Sequence, residues 1–142
     1  VPVVGFSGDG AFGIAVTELT AIGRGEGPAV TMIVFRNYQW GAEKRNSTLW
    51  YEDNFVGTEL DTQVSYAGIA QACGLQGVQA HTMDELRDAL NKAIEDQMKH
   101  GKTTLIEAMI NQELGEPFRR DAMKKPVAVA GISASDMRPQ TV

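Results

Sequence analysis

Cysteine is almost absent: Cys73 is the one thiol in 142 residues, so no disulfide framework can form within the chain. That scarcity suits a reducing compartment, and a cytoplasmic location is expected. Cys73 sits among Ala70, Ala72 and Leu75, a setting for buried packing rather than for a nucleophile. Positive charge is also in deficit. The 13 Lys and Arg against 18 Asp and Glu leave a net charge of −5. Nucleic acid needs a basic face, so it is not an expected partner. No apolar run approaches the roughly 20 residues that cross a bilayer, and no membrane partner is expected. No signal peptide is evident.

What is present resembles ordinary globular material, with 43% hydrophobic and 22% charged residues. That is enough for one packed core. The chain enters a strand-like run at Val1, without Met or lead-in, so it is expected to be the C-terminal piece of something larger. Residues 3–6 are apolar and β-branched and read as a buried strand. Ser7-Gly8-Asp9-Gly10 breaks that run. Residues 11–22 read as a helix, stopped by Gly23, Gly25, Gly27 and Pro28. Residues 29–35 are apolar almost throughout, as in a strand covered on both faces.

Residues 37–63 show little periodicity, yet hold both tryptophans and two of the three tyrosines. Such a loop is long for a compact domain unless functional. A partly ordered loop over a site or at a subunit contact is expected, with Trp40 and Trp50 as loop core or interface rather than cofactor-stacking groups. It is expected to be mobile without cofactor. Residues 64–73 read as a helix closed by Gly74, and residues 78–81 as a strand. Thr82 and Glu85 form a capping box. Its helix runs to Lys99, with Leu86, Leu90, Ala93, Ile94 and Met98 on one face. Lys99 and His100 suit the negative end of its dipole, and Gly101 stops it. His81, beside the capping box, has a structural role. Residues 103–110 are a further apolar strand. The order β-α-β-loop-α-β-α-β predicts an open, mainly parallel α/β sheet with helices on both faces.

The chemistry concentrates at two places. Asp9 follows the first strand and Asn37 follows the second. Open parallel sheets bind ligands beyond the carboxyl ends of their strands. A carboxylate and an amide oxygen suit Mg²⁺, a hard ion that shares its octahedral shell with phosphate and water. Gly8 and Gly10 let backbone approach a ligand. The following helix offers N–H groups and a positive dipole end to a diphosphate. Gly8-x-Gly10-x-x-Gly13 also matches the dinucleotide-binding spacing, although Asn37 stands where that pattern expects an acid. Both readings stay open on the residues alone, as does a plain turn.

Gly8-Asp9-Gly10 followed by Asn37-Tyr38-Gln39-Trp40-Gly41 resembles the signature of thiamine-diphosphate enzymes. The Asn-x-x-x-Gly form is that of the acetolactate synthase and oxalyl-CoA decarboxylase branch. The resemblance implies that Asp9, the Asn37 side chain and the Gln39 backbone carbonyl bind Mg²⁺. It implies that Gly8, Gly10, Ala11, Phe12, Tyr38 and Gly41 line the cofactor. The segments 54–60 and 117–126 resemble an acetyl-transferring subgroup of that branch. That similarity implies sulfoacetaldehyde and phosphate as small-molecule substrates, acetyl phosphate and sulfite as products, and a role in taurine degradation. It implies a homodimer or homotetramer in which the activating glutamate comes from another domain. No catalytic residue is then expected among these 142 residues, and no turnover from them alone. Residues 1–111 would be the cofactor-binding domain and 112–142 a tail. Arg119, Arg120, Lys124 and Lys125 around Asp121 read as a solvated cluster or as an oxyanion contact. Another thiamine-diphosphate activity, such as acetolactate synthesis or 2-oxoacid decarboxylation, and a non-catalytic α/β interaction module are the alternatives.

Overall fold

The computed structural model describes residues 1–113. They belong to two units: Val1–Tyr38 with Asp61–Asn111, and Gln39–Leu60 with the chain from Gln112 onward. The segment 117–126 and the cluster of Arg119, Arg120, Asp121, Lys124 and Lys125 lie outside the described residues.

The first unit is built on four parallel strands in the order β1-β2-β4-β3. These are β1 (Val4–Gly8), β2 (Thr31–Arg36), β3 (Gln76–Ala80) and β4 (Thr104–Met109). Their side chains alternate between faces. Val34 and Leu105 pack with Phe12, Leu19, Tyr66, Ala67 and Ala70 on one face. Ile33 and Ile106 pack with Ala80, Ala93 and Ala108 on the other. The helices supplying those partners are α1 (Asp9–Ile14), α2 (Leu19–Gly23) and α4 (Tyr66–Ala72) on the first face, and α5 (Met83–His100) on the second. The expected parallel α/β sheet with helices on both faces therefore forms, but β1, expected to be buried, is an edge strand of the described sheet with Phe6 65% exposed.

Several local expectations change. The helix expected over 11–22 is three pieces: α1, a 3-10 turn at Val16–Glu18, and α2. Ala15 leaves helical geometry at φ −107 and ψ 14. Gly13 before it and the β-branched Val16 and Thr17 after it weaken the helix there. α1 begins at Asp9, earlier than expected. The excursion expected to be loop contains α3 (Gly41–Trp50), in the second unit. Its helix-forming residues, Ala42 to Arg45, carry no strong apolar stripe, so periodicity did not reveal it.

The capping box of α5 forms with a variation. Thr82 Oγ1 accepts the Glu85 N–H at 3.1 Å, while the Glu85 carboxylate accepts the His81 N–H at 2.6 Å. Gly101 closes the helix in the left-handed region, at φ 61. Met98, expected on the apolar face, is 52% exposed; Gln97 is buried instead. Gln97 Nε2 donates to the carbonyls of Val3 and Ala29, at 3.2 and 2.7 Å. Those carbonyls lie just ahead of β1 and β2, and that of Val3 also accepts the Thr31 N–H at 3.0 Å. Cys73 is half-buried against the α4-side core rather than fully enclosed.

Candidate functional site

β1 and β2 are neighbours, with Gly8 in register with Phe35. Asp9 and Asn37 therefore leave the sheet side by side at its carboxyl edge. Because the two strands are paired, both polar residues stand at one edge of the sheet.

Asp9 is 2% exposed and its carboxylate is heavily engaged. Oδ2 accepts the Tyr38 N–H at 2.7 Å, the Asn37 N–H at 3.1 Å and Arg36 Nη1 at 3.3 Å. Oδ1 accepts the N–H of Gly10 at 2.9 Å. Gly10 thus turns its amide back onto Asp9, and α1 is only six residues long. Its dipole is correspondingly weak, and less of it faces outward than the sequence led one to expect. Phe12 points its ring into the core, edge-on to Tyr66 with centroids 5.1 Å apart, so any ligand contact there is through backbone.

Tyr38 takes φ 61, a left-handed conformation uncommon for a residue with Cβ. Its N–H bond to Asp9 offsets the cost, and so does the Arg36 guanidinium 4.2 Å above its ring. The same guanidinium lies 4.8 Å from the Tyr66 ring. Arg36 is 1% exposed. Besides Asp9 it reaches the carbonyls of Asp61 and Val64 through Nη2, at 2.6 and 3.0 Å. Its Nε faces Glu107 Oε1 at 3.5 Å, a charge contact without hydrogen-bond geometry. Glu107 is fully buried, and its Oε2 accepts Ser65 Oγ, Gln79 Nε2 and the Ala67 N–H. Tyr66 Oη donates to the Asp9 carbonyl at 3.0 Å. Burial raises the Tyr66 phenol above its usual range, and the carboxylates of Asp9 and Glu107 add to this against the opposing pull of Arg36.

Arg36, Glu107 and Tyr66 were not singled out from the sequence. A signal existed: Arg36 ends one apolar strand and Glu107 interrupts another, and charges in a doubly covered sheet must find partners. Gly13 also acquires a reason. A Cβ there would lie 2.5 Å from the Tyr66 hydroxyl, so close packing on Tyr66 explains the glycine without a dinucleotide.

In the second unit Gln39 is buried and bridges to Glu59 in antiparallel fashion. The Trp40 N–H donates to the Thr58 carbonyl at 2.7 Å, and Gln39 Nε2 to that of Gln112 at 2.9 Å. Lys44 pairs with Glu59 and, chiefly through that hydrogen bond, lowers its carboxyl below the usual value. Gly41 is the first residue of α3, and Trp40 and Trp50 are half-buried. His81 and His100 are exposed.

Among the described residues no group of three or more His, Cys, Asp or Glu could hold a metal by itself. Magnesium does not need one: one carboxylate with amide or carbonyl oxygen, completed by phosphate and water, is a common set. Asp9 Oδ1 accepts the Gly10 N–H and has a second lone pair, so the residues present fit such an ion. An open cavity of about 650 Å³ lies elsewhere, between Ala21–Pro28, Gly74–Gln76 and Gly101–Thr103. It is at the amino ends of β2, β3 and β4, the edge where open parallel sheets do not bind ligands.

A parallel sheet with an acid and an amide at adjacent carboxyl ends is the frame of a diphosphate-binding domain. Residues 1–108 match the family "Thiamine pyrophosphate enzyme, C-terminal TPP binding domain", and the chain belongs to it. It is 84% identical over 141 residues to sulfoacetaldehyde acetyltransferase of Roseovarius nubinhibens, covering 99% of this chain and 23% of that protein. With the Rhodobacter capsulatus enzyme of the same name it shares 81% over 139 residues, covering 98% and 23%. With that of Castellaniella defragrans it shares 48% over 126 residues, covering 89% and 21%. The chain thus spans under a quarter of the length of these relatives. Among solved structures, benzoylformate decarboxylase from Polynucleobacter necessarius superposes with a TM-score of 0.67 at 26% identity, covering 80% of this chain and 20% of that one. A thiamine diphosphate-dependent 4-hydroxybenzoylformate decarboxylase from Rhodococcus jostii RHA1 gives 0.66 at 22% identity over the same shares, a likeness of fold.

Proposed function

We propose that this chain anchors the diphosphate of thiamine diphosphate through Mg²⁺, within a protein that converts sulfoacetaldehyde and phosphate to acetyl phosphate and sulfite. The observation that carries the anchoring role is the pairing of Asp9 and Asn37 at the ends of adjacent parallel strands. The identity of 84% to a protein named sulfoacetaldehyde acetyltransferase supports the choice of reaction. Asp9 and the Asn37 side chain hold the metal, with the Gln39 backbone carbonyl as third ligand. Gly8, Gly10, Ala11, Phe12, Tyr38 and Gly41 form the cofactor's surroundings. The work proceeds in the cytoplasm, in a homodimer or homotetramer.

When bound, the cofactor supplies a nucleophile and electron sink. The chain's own part is positional. Asp9 brings one negative charge to the metal, and its carboxylate is kept from rotating by donors on both oxygens. Burial of that carboxylate keeps competing water away and strengthens its attraction for the ion. None of these groups moves a proton.

Asp9→Asn in the full-length protein tests the anchor. Thermal unfolding with and without Mg²⁺ and thiamine diphosphate reads binding directly, because a ligand at 100 times its Kd stabilises by about 2.7 kcal/mol. Wild-type protein shows that gain and the variant shows none. An equal gain in both would remove Asp9 from the site and favour an interaction module. Sulfite release from sulfoacetaldehyde and phosphate tests the reaction. Carbon dioxide from a 2-oxoacid, without sulfite, would replace it with decarboxylation.

A further inference from the structure

Asp9 needs more than burial to serve a metal. Burying a carboxylate is costly unless it is paired and hydrogen-bonded, and Asp9 is 2% exposed. Its counter-ion is Arg36, itself placed by groups from several elements. Glu107 on β4 faces Nε at 3.5 Å, and Asp61 and Val64 offer carbonyls to Nη2 at 2.6 and 3.0 Å. Tyr38 and Tyr66 cover the guanidinium at 4.2 and 4.8 Å. The one remaining direction, Nη1, meets Asp9 Oδ2 at 3.3 Å. These contacts also grip both roots of the excursion 39–60, since Tyr38 precedes it and Asp61 follows it.

We infer that Arg36 is the positioning residue of the metal site: it holds Asp9 Oδ2 so that the Oδ1 lone pair not taken by the Gly10 N–H is left for the ion, and it ties that geometry to the two roots of the excursion. The inference rests on the reading of Asp9 as a metal ligand. Lysine cannot replace Arg36. A single ammonium has no planar fork to serve Asp9, Glu107 and two carbonyls at once, nor a flat face for two rings. Groups that orient a metal ligand from behind typically change metal affinity by about 10–100-fold.

The test measures Mn²⁺ binding to full-length protein in the presence of thiamine diphosphate, by loss of the free-ion paramagnetic resonance signal. Mn²⁺ accepts the same oxygen donors as Mg²⁺. Arg36→Lys should raise the Mn²⁺ Kd about 10–100-fold. Glu107→Gln, which removes the charge behind Arg36 and keeps its size, should raise it at least ~3-fold, in the direction expected of a weakened second-layer contact. A folded Arg36→Lys protein with a Kd within about twofold of wild type would overturn the inference, even if its melting temperature fell. Should Arg36→Lys fail to fold, an unchanged Kd in Glu107→Gln overturns it and a raised one supports it. Asp9→Asn is run beside them. Loss of Mn²⁺ binding in Asp9→Asn with none in Arg36→Lys refutes only the role of Arg36, whereas retained binding in Asp9→Asn refutes the underlying metal reading.

Discussion

Replacing Gly13 with Ala probes the packing behind Asp9. The added methyl would sit 2.5 Å from the Tyr66 hydroxyl oxygen and 3.6 Å from Cζ. The contact with carbon is ordinary. The contact with oxygen is too short by about 0.5 Å against the 3.0 Å that real Cβ atoms respect. Tyr66 has little room to yield. It is 6% exposed, its hydroxyl donates to the Asp9 carbonyl, and its ring lies between Phe12 and the Arg36 guanidinium. Overpacking of this kind costs about 1–3 kcal/mol. Alanine regains up to ~1 kcal/mol of helix propensity, less in so short a helix. A net loss of about 1–2 kcal/mol is expected. Tyr66→Phe alone loses a buried hydrogen bond, roughly 1 kcal/mol. With the hydroxyl gone the clash is gone, and Gly13→Ala becomes neutral or stabilising in that background. The two changes should therefore couple by about 1–3 kcal/mol, the double variant being more stable than the sum predicts. Denaturant midpoints of the four full-length proteins, compared at equal m, measure this. Costs that add to within about 0.5 kcal/mol would refute the packing argument.

Two further outcomes follow from the same region. Burial holds the Tyr66 phenol above its ordinary value, so its contribution to stability is present below the usual tyrosine range and is lost as pH rises through the raised value. In an alkaline absorbance titration Tyr66 should ionise late, and Tyr66→Phe should remove that late phase; a late phase that survives contradicts the placement. At Gly77 a Cβ would lie 2.1 Å from the Ala67 carbonyl oxygen, which is backbone and cannot rotate away. Gly77→Ala should push α4 from β3 at a cost of about 2 kcal/mol or more, whereas Gly68→Ala, with its nearest contact at 3.5 Å, should cost nothing. Equal midpoints for the two would show that the helix is not held that closely.

Much of the fold was legible because burial on both faces leaves a plain trace. Ala29-Val30-Thr31-Met32-Ile33-Val34-Phe35 is apolar in both registers, and β2 takes up that run from Thr31 onward and ends at Arg36. Thr82, Glu85 and Gly101 marked the ends of α5 because capping is local chemistry. α3 was missed because a helix without a buried stripe has no period to read, and Gln97 because a side chain that caps strand carbonyls looks like a surface amide.

Asp9 and Asn37 were likewise legible, since strand ends and turn residues are encoded over a few positions. Their partners were not. Arg36 and Glu107 are 71 positions apart in the chain. They meet because β2 and β4 are adjacent in the sheet. Tyr66 approaches Asp9 only once α4 packs on that sheet. Sequence by itself determined the parallel α/β class and the polar pair at its edge, because both depend on local pattern. Tertiary structure alone decided that Asp9 is held by a buried arginine between two tyrosines, because strand order, unlike strand pattern, is a property of the whole folded chain.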